Sequence, residues 1–145
     1  MKACSRETPI RNEVDPTMKT LILDTSPLIA LYLGEPAAEW INDQLNAAER
    51  HLMSTVNLTE CLIILRHRKP AEADAITQQL LTSSIEFISP DTAQATIAAR
   101  ARLQFPLNLG DCFAYALAKT QKVPLLTLDR DFRSTDIQVV LPPKS

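Results

Sequence analysis

Apolar and polar positions along the chain switch repeatedly between short continuous runs and helical spacing. Leu21-Ile22-Leu23 runs straight into Asp24, Thr25-Ser26-Pro27 follows, and a second apolar run covers residues 28–33. A brief apolar run of this kind fits a strand buried on both faces. Ser26 suits an N-cap, and Pro27 suits the first helical position, where a missing N–H costs nothing. The stretch predicts strand, acid, helix start, and Gly34-Glu35-Pro36 punctuates it. Over residues 36–50, Ala37, Ile41, Leu45 and Ala48 recur at helical spacing between polar residues, and residues 51–55 predict a short strand.

Asn57 then predicts a helix cap, with Leu58, Cys61, Leu62 and Leu65 as the buried stripe. Arg66-His67-Arg68-Lys69 complement the end of that helix, and Pro70 stops it. Residues 71–83 read as a helix and 85–88 as a strand. Pro90-Asp91 opens a helix carrying Ala93, Ile97 and Ala101 on one side. Residues 105–109 connect it to Gly110-Asp111, which starts an apolar, alanine-rich helix over residues 112–122. Residues 123–128 are a buried strand, 129–136 a polar turn and 137–141 a last strand. Strands alternating with helices predict a central parallel sheet in a three-layer α/β/α sandwich.

Composition narrows the chemistry. At 145 residues the chain is long enough for one domain with its own core. A net charge of −2 argues against attachment to nucleic acid through a general basic field, though not against local binding of a polyanion. The only glycines are Gly34 and Gly110, so no glycine-rich phosphate loop exists. Cys4, Cys61 and Cys112 are odd in number and show no metal-ligand spacing, which suggests a reducing, cytoplasmic setting without disulfides. No run approaches bilayer length, so no membrane association is expected. Residues 1–17 are polar and lie before Met18; they read as a disordered tail or an upstream-start extension, with the domain spanning residues 18–145.

Four acids interrupt apolar surroundings at strand exits or helix starts: Asp24, Glu60, Asp111 and Asp129. In a parallel sheet these positions share one edge. Each has a plainer explanation. Asp24 could cap its helix, Asn57 and Glu60 fit a capping box, Asp111 would complement a helix dipole, and Asp129 and Asp131 could form turns. Together they suggest more, because crowded carboxylates are best tolerated around a cation. An all-oxygen set favours Mg²⁺ or Mn²⁺ over zinc. One such ion, or a pair about 4 Å apart, can activate water and offset charge on a phosphodiester. His51 and His67 sit where surface histidines would, and Ser26 has no nearby base.

Asp24-Thr25-Ser26, Asn57-Leu58-Thr59-Glu60, the run LNLGDCFAYALA over residues 107–118 and LTLDRDF over residues 126–132 follow in order. In this the chain resembles PIN domains, and in particular the VapC toxins of bacterial toxin–antitoxin pairs. The resemblance covers nearly all of residues 19–141. It implies a Mg²⁺- or Mn²⁺-dependent endoribonuclease with Asp24 and Asp111 as direct metal ligands. Glu60 and Asp129 would complete the cluster, Thr25, Ser26 and Thr127 would support it, and Asp131 would be an adjacent substitute for Asp129. It also implies an RNA substrate cut to leave a 5′-phosphate and a 3′-hydroxyl, a cognate antitoxin covering the site with a basic segment, and a homodimer. RNA contacts would come from Arg66, Arg68, Lys69, Arg100, Arg102, Lys119 or Lys122. The connector at residues 103–107 is shorter than the loop common in these toxins, and residues 1–17 have no counterpart. Two other readings remain: a PIN-like interaction module without catalysis, and a phosphoaspartyl enzyme with Asp24 as nucleophile.

Overall fold

The computed structural model describes residues 10–14 and 19–144. Its centre is a six-stranded sheet made of β1 (Ile10–Arg11), β2 (Thr20–Leu23), β3 (Arg50–Ser54), β4 (Glu86–Ile88), β5 (Leu125–Leu126) and β6 (Val139–Val140). The order is β1-β6-β5-β2-β3-β4, with every pair parallel. The helices are α1 (Thr25–Leu33), α2 (Ala38–Ala47), α3 (Thr55–Arg68), α4 (Ala73–Leu81), α5 (Thr92–Gln104) and α6 (Leu109–Gln121), with a 3-10 turn at Arg130–Ser134.

Strand side chains alternate between the faces, and the strands are apolar on both. Leu21, Leu23, Met53, Leu126 and Val140 pack with Leu28, Ile41, Cys61, Leu65, Ile76 and Leu80 from α1–α4. Ile22, Leu52, Leu125 and Val139 pack on the other face with Ala98 and Ala101 of α5 and the residues Cys112 to Ala118 of α6. The small side chains of α6 let it lie close to the sheet and to α5. This is the sandwich that the alternating pattern predicts. Among the described residues, no helix is long and apolar enough to cross a membrane.

The topology sets where a site can form. From β2 the chain steps outward to β3 and β4 over one face, then returns across the other face to β5 on the opposite side of β2 and continues to β6. Strand order therefore reverses between β2 and β5, and in open parallel sheets ligands bind at the carboxyl ends beside that reversal. Asp24 follows β2 there, and its N–H donates to Leu126 O of β5 at 3.1 Å.

Three helix starts differ from the sequence expectation in the same way. The caps are Asp24, Ser54 and Asn108, where the sequence pointed to Ser26, Asn57 and Gly110-Asp111. In each case the polar residue read as the boundary lies inside the first turn. The predicted tail differs too. Ile10 and Arg11 pair with Val139 and Val140, and the buried Val14 donates its N–H to Gln44 Oε1 at 2.6 Å. Trp40 Nε1 donates to Asn12 O at 2.7 Å. Residues 10–14 thus lie against the domain, while residues 1–9 and 15–17 of that stretch, Cys4 among them, lie outside the described residues.

Candidate active site

An open cleft of about 280 Å³ lies at the carboxyl ends of β2 and β5, lined by Asp24, Thr25, Ser26, Glu60, Asp111 and Asp129 among others. The four acids picked out in the sequence therefore meet, although they come from four different elements. Asp24 caps α1, Glu60 stands in α3, Asp111 in the first turn of α6, and Asp129 caps the 3-10 turn after β5.

Asp24 is only 3% exposed. Its Oδ1 accepts from Thr25 N at 2.8 Å and its Oδ2 from the buried Thr127 Oγ1 at 2.7 Å. The same Thr127 oxygen accepts from Asp129 N at 3.0 Å, so one hydroxyl ties the first acid to the backbone of the last. Ser26 Oγ accepts from Leu128 N at 3.0 Å and lies 3.5 Å from Thr127 Oγ1. Ser26 is therefore a fastener between α1 and the segment after β5, and Asp24 performs the capping assigned to Ser26. Thr25 Oγ1 lies within reach of Glu60 Oε1, at 3.0 Å, and of Asn57 O, at 3.1 Å.

The capping box belongs to α6. Asn108 Oδ1 accepts from Asp111 N at 2.8 Å, and Asp111 Oδ2 accepts from Asn108 N at 3.2 Å. Glu60, six residues past the Ser54 cap, plays no such part. Asp129 Oδ1 accepts from Asp131 N at 2.9 Å, and Asp131 itself is exposed and outside the lining.

Burial and crowding act on Asp24 and Asp111 together. Burial first, then the charges of Asp111 and Glu60, push the Asp24 carboxyl from 3.8 up to about 7, against the hydrogen bonds from Thr127 and Thr25. Burial raises Asp111 to about 6, with Asp129, Glu60 and Asp131 adding to it and the Asn108 backbone bond opposing. Among the described residues no three acids are already gathered tightly enough to hold an ion. The donor set nevertheless fits a hard divalent cation: it is all oxygen, and the neighbouring acids disfavour the charged forms of Asp24 and Asp111.

The sequence reading missed four residues at the site. Glu35 lines the cleft as a fifth acid, beside Ile29 and Ile64 as apolar wall, and Asn108 lines it as the cap of α6. Gly34, with φ +65°, turns the chain so that Glu35 N–H donates back to Ala30 O. Asn57, expected as a cap, is fully buried beneath Glu60. Local signals existed for Gly34, that of a helix C-cap, and for Asn108, that of an N-cap three residues before Asp111.

The candidate basic residues divide. Arg66 is paired with Asp74 and Lys119 with Asp136, and Lys122 caps the far end of α6. Arg102 stands nearer: the Cys112 thiol is raised by burial and by Asp111, and Arg102 pulls the other way. A phosphoaspartyl mechanism at Asp24 would need a lysine beside it, and neither Lys119, paired with Asp136, nor Lys122, at the far end of α6, lines the cleft.

A family model, PIN domain, matches residues 21–138. Ribonuclease VapC42 of Mycobacterium tuberculosis is 33% identical over 127 residues, covering 81% of this chain and 97% of the relative. Ribonuclease VapC36 of the same species is 35% identical over 127 residues, covering 81% and 91%. A toxin–antitoxin complex from Klebsiella pneumoniae aligns with a TM-score of 0.70 at 21% identity, covering 86% of this chain and 99% of that one. The family match over residues 21–138, with relatives of 33% and 35% identity along most of their length, leads to one conclusion: the chain belongs to the PIN-domain family, of the VapC type.

Proposed function

We propose that this protein is a Mg²⁺- or Mn²⁺-dependent endoribonuclease and the toxin of a toxin–antitoxin pair. The observation that carries this is the meeting of Asp24, Glu60, Asp111 and Asp129 in one open cleft at the reversal of strand order. The names of the relatives, ribonucleases of the VapC type, support the substrate class. Asp24 and Asp111 would hold the cation, with Glu60 and Asp129 completing the set. A bound divalent ion would offset charge on the scissile phosphate and make an attacking water more acidic.

The chain's own groups prepare that chemistry. Thr127 and the Thr25 N–H orient the Asp24 carboxylate, the Asn108 box orients Asp111, and Thr25 Oγ1 steadies Glu60. Because burial disfavours the charged form of Asp24, two hydrogen bonds to it keep the carboxylate available as a ligand. Arg102, whose charge acts on Cys112, the residue after Asp111, is a candidate to meet an RNA phosphate. An antitoxin would cover the acidic cleft with a basic segment, and two chains would pair as a homodimer in the cytoplasm.

Purified protein is expected to cleave structured RNA with Mn²⁺ or Mg²⁺ and to stop in EDTA. Asp24→Asn and Asp111→Asn should each reduce cleavage by at least about a hundredfold, the scale on which removal of electrostatic stabilisation acts. Equal cleavage by wild type and both variants would sink the assignment.

A further inference from the structure

Glu60 reaches the cleft across a bare stretch of α6. Gly110 is buried in the first turn of that helix, and a Cβ there would overlap the Glu60 carboxylate, Oε2 nearest. The backbone of Gly110 does not need glycine, since the positive φ among the described glycines belongs to Gly34. A glycine in a helix also costs stability relative to alanine. Space for Glu60 is what the missing side chain provides.

Asn57 holds the same carboxylate from the other side. Its Nδ2 donates to Glu60 Oε1 at 3.1 Å and to Gly110 O at 3.0 Å. Both partners are acceptors, so the amide has one sensible orientation. Its Oδ1 is then left buried without a partner, which destabilises the fold. A leucine of similar size would avoid that cost, so the amide is better explained by what it holds than by packing.

We propose that Asn57 and Gly110 are a positioning pair that seats the Glu60 carboxylate against the first turn of α6, next to Asp111. They thereby set the spacing of these acids toward a divalent cation. This rests on the metal-dependent reading above. Glu60 ends in a flexible carboxylate, so a methyl group at position 110 displaces it rather than unfolding the domain.

The test uses full-length wild type, Gly110→Ala, Glu60→Ala, the double variant and Asn57→Leu. Each is measured for Mn²⁺ affinity, from the electron paramagnetic resonance signal of free Mn²⁺, and for Tm. Gly110→Ala and Asn57→Leu should each weaken Mn²⁺ binding about tenfold or more, the usual result of losing a partner that orients a ligand. Asn57→Leu should hold or raise Tm while doing so. With Glu60→Ala in place, Gly110→Ala should leave Mn²⁺ binding unchanged and raise Tm. The proposal is overturned if Gly110→Ala has the same effects in both backgrounds, or if Asn57→Leu binds Mn²⁺ like wild type. If wild type binds no Mn²⁺, the metal-dependent reading fails, and Tm alone then decides the pair: a less favourable Gly110→Ala effect with Glu60 present than absent supports it, and equal effects refute it.

Discussion

At the residue scale, Asp24 holds two positions at once. It ends a buried strand, where it loses water, and it caps a helix, where backbone N–H groups favour its charge. Loss of water wins, and the carboxyl rises from 3.8 to about 7. Between these values the metal-free native state keeps a proton that the unfolded chain has released. The contribution of Asp24 to stability is therefore greatest on the acid side and falls as pH climbs from about 4 to about 7. Asp111, raised to about 6, acts in the same direction over the lower part of that window. Urea midpoints in EDTA should drop between about pH 5 and pH 7.5, and Asp24→Asn should flatten the drop. A wild-type midpoint that climbs across this interval would contradict the assigned environment.

At the scale of elements, the caps explain how the acids are aimed. Asp24, Asn108 and Asp129 each occupy a cap whose neighbours lie at the carboxyl edge of the sheet. Gly34 does related work at the other end of α1. Its left-handed conformation closes the helix and turns Glu35 into the cleft. A Cβ at Gly34 would meet nothing within 4 Å, so alanine there brings conformational strain alone. Gly34→Ala should lower stability by about 1–2 kcal/mol, read by thermal or urea unfolding. The sequence showed these elements clearly because the apolar spacing is regular. It misplaced three helix starts because Ser26, Asn57 and Asp111 are all good capping residues by type. A local pattern cannot tell a polar side chain that closes its own helix from one that reaches across to another element.

At the scale of the whole molecule, parallel strands gather residues far apart in sequence onto one edge, and α1–α4 and α5–α6 cover opposite faces. The sheet also extends further than its hydrophobic pattern announces, because β1 adds to the edge at β6. The residues just after β1 reach Trp40, the sole tryptophan of the chain, whose indole N–H is held by Asn12 O. Removing residues 1–14 should lower Tm and shift Trp40 fluorescence to longer wavelength, since Val14 and Asn12 no longer shield or bind that region. Unchanged emission and Tm would show that residues 10–14 contribute nothing to the domain.

Apart from β1, the linear order of strands, helices and acids was legible from residue types alone. Apolar periodicity reports burial directly, and an acid beside a buried run marks itself. The convergence of Asp24, Glu60, Asp111 and Asp129 could be inferred only through the rule that parallel strands share an edge. Tertiary structure decided the rest: Thr127 linking Asp24 to Asp129, Glu35 joining the cleft, and Asn57 and Gly110 making room for Glu60. Each depends on contact between elements dozens of residues apart. Neither a buried asparagine nor a helical glycine declares its partner until the chain has folded.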